Sequence, residues 1–141
     1  MLSSADSKVN FIDVANPEDL DEALSTLPGG QWHPILFYAD VESNTGKSWC
    51  DGCVKAHHPI QSTLEKNEKV SDVILCPVGV QSKWGDPQHH YRTLPGLQLS
   101  GVPALALWKK ESNFGPILLE SECHYPHRVE ELLSLCAPKR R

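Results

Sequence analysis

Two apolar runs, Ile35-Leu36-Phe37-Tyr38-Ala39 and Val73-Ile74-Leu75-Cys76-Pro77-Val78-Gly79-Val80, constrain this chain more than any other feature. Each is short and almost unbroken, the pattern of a strand buried on both faces. The first is bounded by Pro34 and Asp40. Between them a helix is expected from Cys50 to about Asn67, with Val54, Ile60 and Leu64 on its buried side. Pro59 should kink it. Strand, helix and strand in this order imply parallel partners and a right-handed crossover. An α/β architecture follows.

The flanking segments fit around that unit. Val9, Phe11 and Ile12 suggest a short edge strand. Asn16 is placed to cap a helix that begins at Pro17, with Glu18 and Asp19 at its positive end. Leu20, Ala23, Leu24 and Leu27 supply its apolar stripe, and Pro28-Gly29-Gly30 ends it. Residues 81–98 form a polar, aromatic-rich connection, helical in part and ending before Pro95-Gly96. Val102–Trp108 reads as a third strand and Pro116–Glu120 as a fourth. Their link is too short for a parallel crossover, so they form a hairpin. A last helix from Pro126 to Cys136 should bury Val129, Leu132, Leu133 and Cys136. The sum is a mixed sheet of four to five strands with helices on both faces. A flexible N-terminus (1–10), a single domain (11–136) and a basic tail (137–141) are expected.

At 141 residues the chain can bury a core without disulfide staples. A net charge of −5 argues against nucleic acid or an anionic membrane as partner. No stretch approaches the ~20 apolar residues of a membrane span. Met1 through Asp6 lack the basic start and apolar run of a secretory signal. A cytoplasmic monomer is the expectation. Five cysteines, with one close pair, are no secreted disulfide framework.

That pair lies in Ser48-Trp49-Cys50-Asp51-Gly52-Cys53, at the junction of the first strand and the long helix. Two sulfurs three residues apart can close a disulfide ring or share a metal ion. A structural zinc site usually shows a second tight ligand pair, and no second cysteine pair is present. His57 and His58 are expected at the surface. His89, His90, His124 and His127 form no metal-ligand pattern, so no metal is expected. Chance spacing is the remaining alternative. At a helix start, unpaired N–H groups and the dipole stabilise a thiolate. Cys50 is therefore assigned as nucleophile, exposed and acidic, and Cys53 as the shielded resolving thiol.

Gly101-Val102-Pro103 opens the third strand. A proline cannot donate within a central strand. A cis Val102-Pro103 peptide ending the preceding loop would resolve this and leave the Val102 backbone free for a substrate chain. From the dipeptide alone, a trans proline at a strand start is the simpler reading.

These residues together resemble thioredoxin, and more closely the thioredoxin-related family of thioredoxin domain-containing protein seventeen, whose motif reads WCPDC. The resemblance rests on Gly46-Lys47-Ser48-Trp49-Cys50-x-x-Cys53, Val78-Gly79 with Trp84-x-Asp86 and Arg92, Val102-Pro103, and Glu120-Ser121-Glu122-Cys123. It covers about residues 30 to 135. It implies a three-layer thioredoxin-like fold with Val102-Pro103 cis, and reduction of small or selected disulfides through Cys50 and Cys53. It further implies no bound cofactor, and recycling by an NADPH-dependent flavoenzyme of the thioredoxin-reductase type. Residues 40–48 and 81–95 would restrict partners. Trp49, Asp51, Gly52, Trp84, Val102 and Pro103 are the candidate docking residues.

Two departures stand out. Asp51-Gly52 replaces Pro-Asp between the cysteines, and Pro59 falls six residues after Cys53 rather than five. The remaining expectations are blander. Asp40 reads as a solvated loop acid, although thioredoxins use a buried acid near this point. Lys47 is a weak, screened influence on Cys50. Cys76 and Cys136 read as buried small hydrophobes, and Cys123, in a polar stretch, as exposed.

Overall fold

In a computed structural model, residues 9–40, 48–67 and 69–136 are described. The expectations about residues 1–8, Lys47, the rest of the 41–47 loop and the 137–141 tail lie outside them. The elements run β1 (Asn10–Asp13), α1 (Pro17–Thr26), β2 (His33–Tyr38), α2 (Asp51–Lys66), β3 (Asp72–Pro77), α3 (Gln81–Trp84), α4 (His90–Thr93), β4 (Ala104–Lys109), β5 (Asn113–Leu119) and α5 (Pro126–Leu133). Two 3-10 turns, Glu120–His124 and Ser134–Cys136, flank α5.

The five strands form one sheet in the order β1-β3-β2-β4-β5. β3 is parallel to both β1 and β2, with Ile35 opposite Ile74 and Phe37 opposite Cys76. β4 runs antiparallel to β2 and to β5, with a register shift between Ala106 and Trp108. The two apolar runs thus occupy the middle of a mixed sheet.

Strand alternation sorts side chains into two cores. One face carries Ile35, Phe37, Ile74, Cys76, Ala104, Ala106 and Trp108 under α1, with Trp84 and Tyr91 from α3 and α4. The other carries Leu36, Val73, Leu75, Leu105 and Leu107 beneath α2 and α5. Burial on both faces is why β2 and β3 read as continuous rather than alternating apolar runs.

α1 starts as its sequence dictates. The Asn16 side chain accepts from Asp19 N–H at 2.8 Å, Pro17 occupies the first turn, and the helix closes at Leu27. Its partner α2 differs from expectation in its buried stripe. Ala56, Ile60, Thr63 and Leu64 face the core, whereas Val54 is 58% exposed. Pro59 sits inside α2, and Thr63 and Ser62 return hydroxyls to its carbonyl at 2.7 and 3.3 Å.

At the start of the described residues Val9 is 2% exposed and Asn10 opens β1. The folded unit therefore takes in two residues expected in the flexible N-terminus. Among the described residues, no helix is long and apolar enough to cross a membrane.

Candidate active site

The end of β2, the start of α2 and the loop before β4 converge on the two cysteines. Cys50 is the N-cap of α2, in an extended conformation that turns its sulfur back over the first turn. Cys53 N–H donates to Cys50 Sγ at 3.0 Å, so sulfur takes the role usually played by a Ser or Asp oxygen. The Cys50 thiol also lies 3.6 Å from the Val102 carbonyl. The Val102-Pro103 peptide is cis. Ser48 Oγ accepts from Cys50 N–H at 3.2 Å, fixing the entry to the helix.

The two thiols are unpaired and differ sharply in acidity. Cys50 is lowered from 9.0 to about 7. Its hydrogen bond with the Cys53 side chain is the main cause, with the Cys53 and Gly52 backbone N–H groups adding to it. Burial and the Asp51 charge oppose the shift without reversing it. Cys53 moves far upward, because its proton is held by Cys50 and its sulfur is desolvated. Ala39 N–H, donating to Cys53 Sγ at 3.5 Å, offsets this only in part.

One sequence expectation is reversed here. Cys50 is only 8% exposed, while Cys53 is half-buried. Acidity at Cys50 comes from donors aimed at the sulfur, not from access to water.

The other candidates fall into three groups. Trp49, Gly52, Val102 and Pro103 gather around the pair. Trp49 is half-buried and donates Nε1–H to the Gly79 carbonyl at 3.1 Å. Gly52 backs onto Pro103, where a Cβ would come to 3.3 Å of Cδ. Asp51 points outward and pairs with Lys55 at 3.2 Å, both largely exposed. Trp84 does not belong to an open docking face. It is 6% exposed, with the Arg92 guanidinium 3.9 Å above its ring and His89 edge-on at 5.0 Å. Arg92 Nε also donates to the Trp84 carbonyl at 2.8 Å, so the cluster locks the 81–95 connection from within.

Further differences concern the acids and the remaining thiols. Asp40 is half-buried rather than solvated, and burial raises its pKa against the pull of Lys83. It is not among the leading influences on the Cys53 thiol. Cys123 is fully buried, not exposed, and its sulfur contacts the Leu118 and Pro103 carbonyls at 3.5 and 3.9 Å. Its ionisation would add to the upward pressure on Cys53. Cys76 and Cys136 are core residues. His124, assigned no role from sequence, donates Nε2–H to the Gly52 carbonyl at 3.0 Å. No sequence signal links residues 72 positions apart. Among the described residues no group of three or more His, Cys, Asp or Glu is placed to hold a metal.

The sheet order, the helices on both faces and the cysteines at a strand-to-helix turn define a thioredoxin fold. Solved thioredoxins superpose accordingly. The Schistosoma mansoni protein matches with a TM-score of 0.57 at 16% identity, covering 91% of this chain and 96% of its own. The Fasciola hepatica thioredoxin matches with a TM-score of 0.56 at 11% identity, covering 89% and 98%. Within that class, residues 14–135 match the model for "Thioredoxin domain-containing protein 17-like, thioredoxin domain", and the chain belongs to this family. The Arabidopsis thaliana "Thioredoxin-like protein Clot" is 34% identical over 125 residues, covering 85% of this chain and 92% of the relative. The Danio rerio "Thioredoxin domain-containing protein 17" is 28% identical over 117 residues, covering 83% and 89%.

Proposed function

We propose that this chain is a thiol–disulfide oxidoreductase that reduces disulfides in selected proteins or small molecules. The observation that carries the reading is the Cys50 sulfur at the α2 N-cap, 3.0 Å from Cys53 N–H and facing the Val102 carbonyl beside Pro103. With its pKa near 7, about half of Cys50 is thiolate at neutral pH.

The thiolate attacks one sulfur of the substrate disulfide and expels the other as a thiolate, leaving a mixed disulfide on Cys50. The largest cause of Cys53's raised pKa is its hydrogen bond to Cys50. That bond is lost once Cys50 is consumed, so Cys53 becomes easier to deprotonate when it is needed. Its thiolate then attacks Cys50 Sγ, forms the Cys50–Cys53 disulfide and releases the second substrate thiol. Two electrons pass from the dithiol to the substrate. An NADPH-dependent flavoenzyme of the thioredoxin-reductase type, acting in the cytoplasm on a monomer, would return them. Substrate would dock over Trp49, Asp51 and Gly52 and against the Val102 backbone. Trp84 would act indirectly, by holding the 81–95 connection in shape.

Turnover of a small disulfide with a coupled NADPH-dependent reductase tests this. Cys50→Ser should abolish turnover, and Cys53→Ser should accumulate a mixed disulfide detectable by mass. Undiminished turnover in Cys50→Ser would overturn the reading. The low exposure of Cys50 favours a second reading, a redox-sensing or partner-binding module without catalysis. It requires negligible turnover together with reversible oxidation that changes partner affinity.

A further inference from the structure

The carbonyl of Gly52 and the N–H of Cys53 are the two ends of one peptide unit. The N–H end holds the Cys50 sulfur at 3.0 Å, and the carbonyl end accepts the His124 imidazole at 3.0 Å. A carbonyl only accepts, so Nε2 must carry a proton in this contact. Hydrogen bonds at both ends of an amide polarise each other: a donor on the oxygen makes the N–H a stronger donor.

We propose that His124 is a positioning residue for the Cys50 thiolate, its Nε2–H orienting and polarising the Gly52–Cys53 peptide that holds the sulfur. The inference rests on the redox reading of the pair and adds a residue to it.

The surroundings of His124 suit this role. The 3-10 turn Glu120–His124 is fastened beneath it at several points. Glu120 N–H donates to the Pro103 carbonyl at 2.6 Å, Leu119 N–H donates to Glu122 Oε1 at 3.0 Å, and the buried Cys123 thiol faces the Leu118 carbonyl. Gly52 is enclosed on two sides. A Cβ there would lie 3.3 Å from Pro103 Cδ and 3.8 Å from His124 Nε2. The imidazole thus ties the turn between the cysteines to the segment that follows β5 and anchors on Pro103.

Other charges nearby are accounted for. Asp51 opposes the thiolate and pairs with Lys55; Glu122 pairs with Arg128 at 3.3 Å. Glu120, on the same turn, is exposed.

The test is the pH dependence of Cys50 alkylation by iodoacetamide in the reduced full chain, followed by peptide mass mapping. His124→Leu removes the donor, and His124→Gln keeps an amide donor at similar reach. His124→Leu should raise the Cys50 midpoint by about half a pH unit or more, with His124→Gln close to the parent. An unchanged midpoint in His124→Leu would overturn the proposal, as would equal shifts in both variants. Disulfide turnover by the unmutated chain is measured in parallel. If it is absent while the midpoint shifts as expected, the redox-enzyme reading fails and the role of His124 stands.

Discussion

Cys50 and Cys76 are both buried thiols on the same side of the molecule, 8% and 0% exposed and within one core. Their acidities differ in opposite directions. Cys76 lies in the middle of the sheet opposite Phe37, where desolvation raises its pKa to about 12. Cys50 lies at the start of α2, and its pKa falls to about 7. Burial is common to both, so burial does not explain the difference. Hydrogen-bond donors do: the Cys53 thiol, and after it the Cys53 and Gly52 N–H groups of the first turn of α2, stabilise the Cys50 thiolate, whereas at Cys76 nothing of comparable weight offsets desolvation. The lowered pKa of Cys50 thus comes from its place at the start of α2 with Cys53 one turn further in.

The largest consequence is chemical selectivity. At pH 7, pKa values of about 7 and about 12 separate the thiolate fractions of Cys50 and Cys76 by roughly four to five orders of magnitude. Brief iodoacetamide treatment of the native reduced protein should therefore label Cys50 and leave Cys76, Cys123 and Cys136 unmodified, as read by peptide mass mapping. Comparable labelling of Cys76 would break the comparison outright.

Stability against pH sharpens it next. The folded state lowers the Cys50 pKa below its ordinary 9.0, so it binds the thiolate form preferentially. That contribution is complete above pH 9 and is lost as pH falls through about 7. For Cys76, Cys123 and Cys136, each raised to about 12, the sign is opposite: their contribution is complete below pH 9 and is lost on going towards 12. Urea melts of the reduced protein between pH 6 and 9 should show a Cys50-dependent gain on the order of 1–2 kcal/mol, absent in Cys50→Ser. The same slope in both proteins would assign the gain to other groups.

How much of this the residues announce in advance depends on the range of the interaction involved. The βαβ frame, the capped α1 and the β4–β5 hairpin follow from local periodicity and link length, and they are legible. So is the junction of Trp49, Cys50 and Cys53 with α2, because strand and helix patterns meet there. The expected buried stripe of α2 fails at Val54. Counting back from Ile60 by one helical turn reaches Ala56, which faces the core, while Val54 points to solvent. Trp84 departs from expectation for a different reason. An aromatic in a polar segment invites a surface role, and only tertiary packing stacks Arg92 over it. Cys123 sits between Glu122 and His124 yet is buried, because the 3-10 turn directs one side chain inward and its polar neighbours outward or along the surface. The His124–Gly52 bond joins segments far apart in the chain and leaves no local pattern to read.

The smallest effect is expected at Gly52, and it asks how tightly the donor turn must be held. Its backbone shows no positive φ, so alanine suits the conformation, and in a first helical turn it would favour folding by up to about 1 kcal/mol. Against this, the new Cβ would meet Pro103 Cδ at 3.3 Å, a tight contact with a rigid ring. The two effects nearly cancel, so Gly52→Ala should change the unfolding free energy by less than about 1 kcal/mol. Its effect on the thiol should be distinct. Relieving the contact moves the Gly52–Cys53 peptide away from Pro103 and lengthens the donors to Cys50. The Cys50 alkylation midpoint should therefore rise by a few tenths of a pH unit or so while the melt stays nearly unchanged. If stability falls by several kcal/mol instead, glycine is present at 52 to fit the fold. If neither moves, the turn has slack, and the acidity of Cys50 depends on the mere presence of its N–H donors rather than on their close fit beneath Pro103.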